Sequence, residues 1–194
     1  MQEVRSAAQE AAEDIFFGQA VISWARWFII GAGIILALWT APDAFSLIVG
    51  VIVVVGLMAL NFYLHGRYLA ERPANRVMIT TASLIDLALI SLVVILRGDY
   101  FILYYPVVLA FAFVMPPRVT AAYTAAALGA YAGAYFVGDP SFLGDVADVK
   151  TLVMRLITLG AMGALGTYYW RIQRNRRRAA IGEVAGAQSQ PASP

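Results

Sequence analysis

Apolar positions in this chain do not alternate with polar ones. They come in long blocks separated by short charged clusters. Six blocks stand out: Val21–Thr40, Phe45–Leu64, Val77–Leu96, Tyr100–Met115, Val119–Val137 and Leu152–Trp170. A helix needs roughly 20 residues to cross the hydrocarbon core of a bilayer, with a usable range of about 17–25. The second, third, fifth and sixth blocks fit directly. The fourth is shorter and holds Pro106, which predicts a helix that is kinked or shielded from lipid by its neighbours. The fifth is crowded with alanine and glycine, and the sixth carries Gly160 and Ala164 at small-xxx-small spacing within "GAMGALG". Both patterns predict close helix packing rather than chemistry.

The flanks read differently. In residues 1–20, Val4, Ala8, Ala11 and Ile15 recur at helical spacing among acidic residues. This predicts a short amphipathic helix lying along the cytoplasmic face or docked on the bundle. Residues 171–194 begin with "RIQRNRRR" and end in "EVAGAQSQPASP". They predict a basic cytoplasmic helix followed by a disordered tail. The expected fold is all-α: a polytopic integral membrane protein, a six-transmembrane-helix bundle over residues 21–170.

Composition agrees with the pattern. The chain is 61% hydrophobic and 13% charged, against about half and about a quarter for a soluble domain. It contains no cysteine and one histidine, His65. That excludes disulfides, thiolate metal sites and a two-histidine metal site. No cofactor or metal is expected. The start "MQEVRSAAQEAAED" is acidic before any apolar run, unlike a signal peptide.

Charge sets the expected topology. With six spans, Arg5, Arg26, Arg67, Arg72, Arg76, Arg118, Arg171, Arg174, Arg176, Arg177 and Arg178 fall on one side. Arg97 and Lys150 lie in loops on the other side, with Asp43, Asp99, Asp139, Asp145 and Asp148. Positive-inside places both termini in the cytoplasm of a cell whose inner membrane holds the protein. Arg171, Arg174, Arg176, Arg177 and Arg178 are expected to be topology anchors on lipid, not a nucleic-acid site. Trp24, Trp27, Trp39 and Trp170 fall near block ends, as interfacial tryptophans do.

Arg26 stands near the start of the first block, and two charges lie well inside others. Asp86 lies mid-way along the third, where an unpartnered carboxylate costs several kcal/mol. Arg155 lies within the sixth. Their depths suggest a contact, with Ser83 beside Asp86 and Thr151 and Thr158 flanking Arg155. Such a pair serves either as a register device between helices or as part of a ligand pocket, proton path or switch. A protonated Asp86 donating a hydrogen bond is a third possibility. Tyr100, Tyr104 and Tyr105, in "YFILYYP", are candidates to line an outward-facing pocket for an apolar or aromatic molecule, or to form an interfacial belt. The three aspartates of "GDPSFLGDVADVK" lack the alternating spacing of a calcium loop. No constellation for hydrolysis or phosphate transfer is present, so no enzymatic activity is expected.

From Ala82 to Arg178 the motifs resemble the six-span membrane sensor region of bacterial histidine kinases. The matching features are the mid-span Asp86, Gly98 in a short outer loop, "FILYYP" from Phe101 to Pro106, the alanine-rich fifth block, Arg155 and the tail "RIQRNRRR". Asp99 and Tyr100 depart from the usual outer loop. Sixteen residues follow Arg178, too few for the phosphoacceptor helix and ATP-binding domain of a kinase. The resemblance therefore implies a stand-alone, non-catalytic sensory or accessory module acting through a protein partner or as a homodimer. The alternative is a small-molecule binding or transport protein, such as the substrate-binding subunit of a vitamin transporter.

Overall fold

A computed structural model describes residues 2–40, 43–70 and 75–188; the side chains of residues 2–17, 40, 142, 177, 178 and 180–188 lie outside the description. Among the described residues the chain is helical throughout its ordered elements and has no strand. The helices are α1 (Gln2–Thr40), α2 (Ala44–Leu69), α3 (Arg76–Leu96), α4 (Tyr104–Val114), α5 (Pro117–Gly138) and α6 (Val146–Gln188). A 3₁₀ segment, Gly98–Leu103, leads directly into α4.

Contacts between helices fix their directions. Gln19 and Ser23 of α1 meet Leu64 and His65 of α2, while Gly50 faces Ala37. Val114 packs on Gly18, and Phe113 meets Tyr169. Gly138 backs onto the Ile95 carbonyl, and Tyr104 meets Ser91. The six helices therefore run alternately up and down between two ends. The near end holds Gly18, His65, Arg76, Val114, Pro117 and Trp170. The far end holds Thr40, Ala44, Leu96, Gly98, Gly138 and Val146.

Four segments are long and apolar enough to cross a membrane: Gly18–Trp39, Ala44–Leu69, Arg76–Leu96 and Val146–Arg176. Gly98–Val114 is apolar but shorter, and α5 carries too many small and polar residues to stand with the four. The shorter one lies in the middle of the bundle's packing. α4 packs against α1, α3, α5 and α6, and Val108, Phe111 and Ala112 are at most 1% exposed. That is the shielding expected of a short helix. Pro106 does not kink it. It sits in the first turn, where its missing N–H lacks an intrahelical acceptor in any case.

Large apolar side chains cover the surface, and a few polar ones lie within the apolar core. Trp24, Phe28, Ile35, Leu38 and Trp39 on α1, and Ile52, Val55 and Phe62 on α2, face outward, while Gln19, Arg26, Asn61 and Asp86 are buried. Water would penalise this arrangement; lipid would not. Trp27 is half-buried and packs edge-on against Phe62, with ring centroids 5.1 Å apart, so it joins two helices.

Three expectations change. Residues 1–20 are not a separate helix: α1 continues unbroken from Gln2, because its alanine-rich start has no proline to stop it. Likewise α6 runs to Gln188, so residues 183–188 of the expected disordered tail are helical; residues 189–194 lie outside the described residues. The close-packing glycines of α6 are Gly163 and Gly166 rather than Gly160. A Cβ at Gly163 would collide with Thr124 and one at Gly166 with Ala112, whereas Gly160 faces open space. Replacing Gly166 with valine should therefore cost about 1–3 kcal/mol through overpacking. Gly160→Ala should change stability by no more than about 0.5 kcal/mol. Thermal unfolding in detergent, followed by helical circular dichroism, checks both.

Asp43 caps α2, its Oδ1 accepting the Ser46 backbone N–H at 2.8 Å and its Oδ2 accepting the Ser46 hydroxyl at 2.9 Å. The backbone bond first, then the hydroxyl bond, hold its pKa below the ordinary 3.8. A carboxylate depressed on folding adds stability above its unfolded pKa and loses it as pH falls through its folded one. Asp43→Asn keeps the cap without a titrating group, so part of the acid-induced loss of stability below pH 3.8 should disappear in that variant. Thermal melts across an acid pH series check this.

Candidate functional site

The interior polar residues follow helical spacing. Gln19, Ser23 and Arg26 share one face of α1, Asn61 and His65 one face of α2, and Ser83 and Asp86 one face of α3. The apolar positions on the same faces bury Ile22, Ile29 and Ile30 of α1, Leu57 and Leu64 of α2, and Ile79, Leu87 and Ile90 of α3. The pattern that makes these helices pack thus also draws the polar groups inward.

At the centre, Arg26 Nε donates to Asp86 Oδ2 at 2.6 Å, with both residues at most 3% exposed. Arg26 is about 12 Å along its helix from Gly18 and Asp86 about 15 Å along its own from Arg76, at 1.5 Å per residue. Both therefore sit at nearly the same depth from the near end. The pair does not use all its capacity. Arg26 Nη1 and Nη2 and Asp86 Oδ1 are buried without a hydrogen-bond partner among the described residues. Beside them lies a cavity of about 10 Å³, lined by Arg26 and Ile29 of α1, Ser83 and Asp86 of α3, and Ala110 and Phe111 of α4 among others. Tyr123 of α5 closes another side: its hydroxyl donates to the Ser83 carbonyl at 2.8 Å, and its ring stacks on Phe111.

A second set of polar contacts begins at Ser23, one turn along α1 from Arg26 toward the near end. The Ser23 hydroxyl lies 3.2 Å from Asn61 Oδ1 and 3.1 Å from His65 Nδ1. One turn nearer the end, Gln19 Nε2 donates to the Leu64 carbonyl at 2.8 Å. Asn61 is fully buried, and its Nδ2 lacks a partner among the described residues.

The expected Asp86–Arg155 contact does not form. Arg155 lies over the Phe101 ring, 3.7 Å from its centroid, and its Nη1 donates to the Tyr131 hydroxyl at 3.1 Å. Thr151 and Thr158 are exposed, and their hydroxyls return to the Ala147 and Met154 carbonyls of their own helix. The face of α6 that carries them points away from Asp86. Arg26, counted among the near-side cations at the start of the first block, is instead the buried partner. The signal for it was the Gln19–Ser23–Arg26 stripe, which continues the apolar face of α1.

The aromatic residues at the far end pack on one another. The Tyr104 and Ser91 hydroxyls are 2.7 Å apart, and the Tyr104 ring meets Tyr131 edge-on. Phe101 meets Tyr105 at right angles, and Arg97 lies over Tyr100 while bonding Asp99. Tyr100 and Tyr104 are thus buried parts of a cluster and do not line an open outward pocket. In the following loop, Asp139 accepts from Ser141 and Asp145 from Ala147 N, so two of its three aspartates shape turns. Arg171, Arg174 and Arg176 are exposed at the near end, Arg174 lying over the Trp170 ring. The side chains of Arg177 and Arg178 are outside the described residues.

No family model matches the chain, and neither a curated protein nor a solved structure matches it. The site is therefore argued from its own geometry. A buried arginine or aspartate left without its partner is strongly unfavourable. Arg26→Leu and Asp86→Leu should each destabilise the bundle by about 3–5 kcal/mol. The double variant should recover most of that loss. Asp86→Leu combined with Arg155→Leu should lose the sum of the two single effects, because those residues share no partner. Double-mutant cycles on thermal or denaturant unfolding in detergent distinguish the two pairings.

Proposed function

We propose that this chain is a non-catalytic membrane sensory or accessory module with six spans, the near end in the cytoplasm, acting through a protein partner or a second copy of itself. The carrying observation is the continuity of α1 and α6. At 1.5 Å per residue, α1 is roughly 58 Å long and α6 roughly 65 Å, about twice the 30 Å hydrocarbon core. Both overhangs leave the same end of the bundle. α1 carries Arg26 of the buried pair, and α6 packs on α4 through Gly166. A rearrangement around Arg26–Asp86 would therefore move rigid helices beyond the membrane, which is the mechanical requirement for passing a signal to a partner.

Charge supports the orientation. With Arg26 placed inside, ten cations still belong to the near side against two on the far side, which positive-inside assigns to the cytoplasm of an inner membrane. The likeness to the sensor region of histidine kinases rests on sequence motifs only. It loses the Asp86–Arg155 pairing but keeps a charged mid-span residue and the basic helix after the last span. The vitamin-transporter reading has less support: the cavity at the buried pair is about 10 Å³, against roughly 300–1,000 Å³ for sites that enclose small molecules.

Because the chain has no cysteine, single cysteines report directly. Ser141→Cys should react with a membrane-impermeant thiol reagent on intact cells, and Asn175→Cys only after permeabilisation. The reverse pattern overturns the orientation. A photo-crosslinker at position 175, used in native membranes and followed by native mass spectrometry, should retain a protein partner or a second copy. A lone chain carrying a small molecule would favour the transport reading instead.

A further inference from the structure

The buried polar side chains of α1, α2 and α3 lie at the ion pair or on its near side. There Ser23 meets Asn61 and half-buried His65, and Gln19 bonds the Leu64 carbonyl. Toward the far end, the same faces become apolar: Ile29 and Ile30 on α1, Leu57, Val54 and Val53 on α2, Leu87 and Ile90 on α3. The Ser91 and Tyr104 hydroxyls beyond them are engaged with each other. Between α1, α3 and α4 lies the cavity of about 10 Å³, and roughly 10–15 Å³ admits one water. A buried water needs two to four polar partners. Arg26 Nη1 and Nη2 and Asp86 Oδ1, all buried and without a partner among the described residues, supply them on the residues that line the cavity.

We propose that this cavity binds a single water molecule, accepting from an Arg26 Nη–H and donating to Asp86 Oδ1, and that this water exchanges with the near end along Ser23, Asn61 and His65. Larger ligands do not fit, and an anion would meet the Asp86 carboxylate. Among the described residues, the charged and titratable groups facing Asp86 are Arg26 from α1 and, through the Ser83 carbonyl, Tyr123 from α5; His65 from α2 meets Ser23, one turn along α1 from Arg26. α4 presents only Val107, Ala110 and Phe111 to the cavity. Water reaching the pair would complete its hydrogen bonding, and it would give the Arg26 N–H groups a route for hydrogen exchange from the near end alone. The inference stands on the cavity and its lining, independently of the sensory reading.

X-ray radiolytic hydroxyl-radical labelling tests it on the full chain in detergent, read by mass spectrometry after rapid mixing with ¹⁸O water. Radicals arise at bound water, so Phe111 and Ile22 should be labelled although they are buried, while the equally buried Ile90 and Val108 should not. Arg26→Leu combined with Asp86→Leu should lose the Phe111 label. Asn61→Leu should slow ¹⁸O uptake at Phe111, with Ser23→Ala as the substitute if that variant does not fold, and Ser91→Ala should leave uptake unchanged. Labels at Phe111 and Ile22 no stronger than those at Ile90 and Val108 in the unmodified protein would overturn the water site. Uptake slowed by Ser91→Ala and not by the α1–α2 changes would overturn the near-end route.

Discussion

A guanidinium and a carboxylate 2.6 Å apart, both almost wholly buried, constrain everything around them. Removing either ion from water costs several kcal/mol, and only a close partner offsets that cost. The two ions come from α1 and α3, so these helices must stay in rotational register. α4 must lie beside them, since Val107, Ala110 and Phe111 close the cavity at the pair. The short central helix is therefore as much a consequence of the ion pair as of its own apolar sequence.

The rest of the bundle divides around this pair. Toward the near end, side-chain amides, a hydroxyl and an imidazole bridge α1 and α2. Toward the far end, the helices meet through branched aliphatic residues and then through the cluster of Phe101, Tyr104, Tyr131 and Arg155. In that cluster the arginine is held by a ring face and a phenol, which satisfies a cation without a buried counter-ion. The two ends thus solve the burial of polar groups differently: the near end by side-chain bonds between α1 and α2, the far end by aromatic rings around an arginine.

Asp86 was legible in the sequence as a costly residue needing a partner, but its partner was not. Depth along a helix can be counted from residue numbers, and by depth Arg155 and Arg26 were both admissible. Choosing between them required knowing which way each helix is turned and which helices are neighbours. Arg155 is turned toward α5 and the 3₁₀ segment, with Thr151 and Thr158 of the same helix exposed. Arg26 was counted among the near-side cations because an apolar block beginning at Val21 puts it near the block's start, whereas the helix passes through that point without a break and carries Arg26 into the interior. The glycines of α6 repeat the lesson. Their spacing announced close packing, but the choice of Gly163 and Gly166 over Gly160 depends on which face meets Ala112 and Thr124.

By itself the sequence determined the helical class, the approximate limits of the four middle helices and the presence of an ionic centre. These follow from block length, hydrophobic content and charge order, which are properties read along one dimension. The tertiary structure alone decided the pairing of Arg26 with Asp86, the central place of α4, the closure of the aromatic cluster and the polar contacts between α1 and α2. Those depend on the rotation of each helix about its axis and on the order of helices around the bundle. Apolar side chains are nearly interchangeable in what they prefer, so their pattern leaves several arrangements open. The buried ions separate those arrangements, because only some of them bring a cation within hydrogen-bonding distance of Asp86.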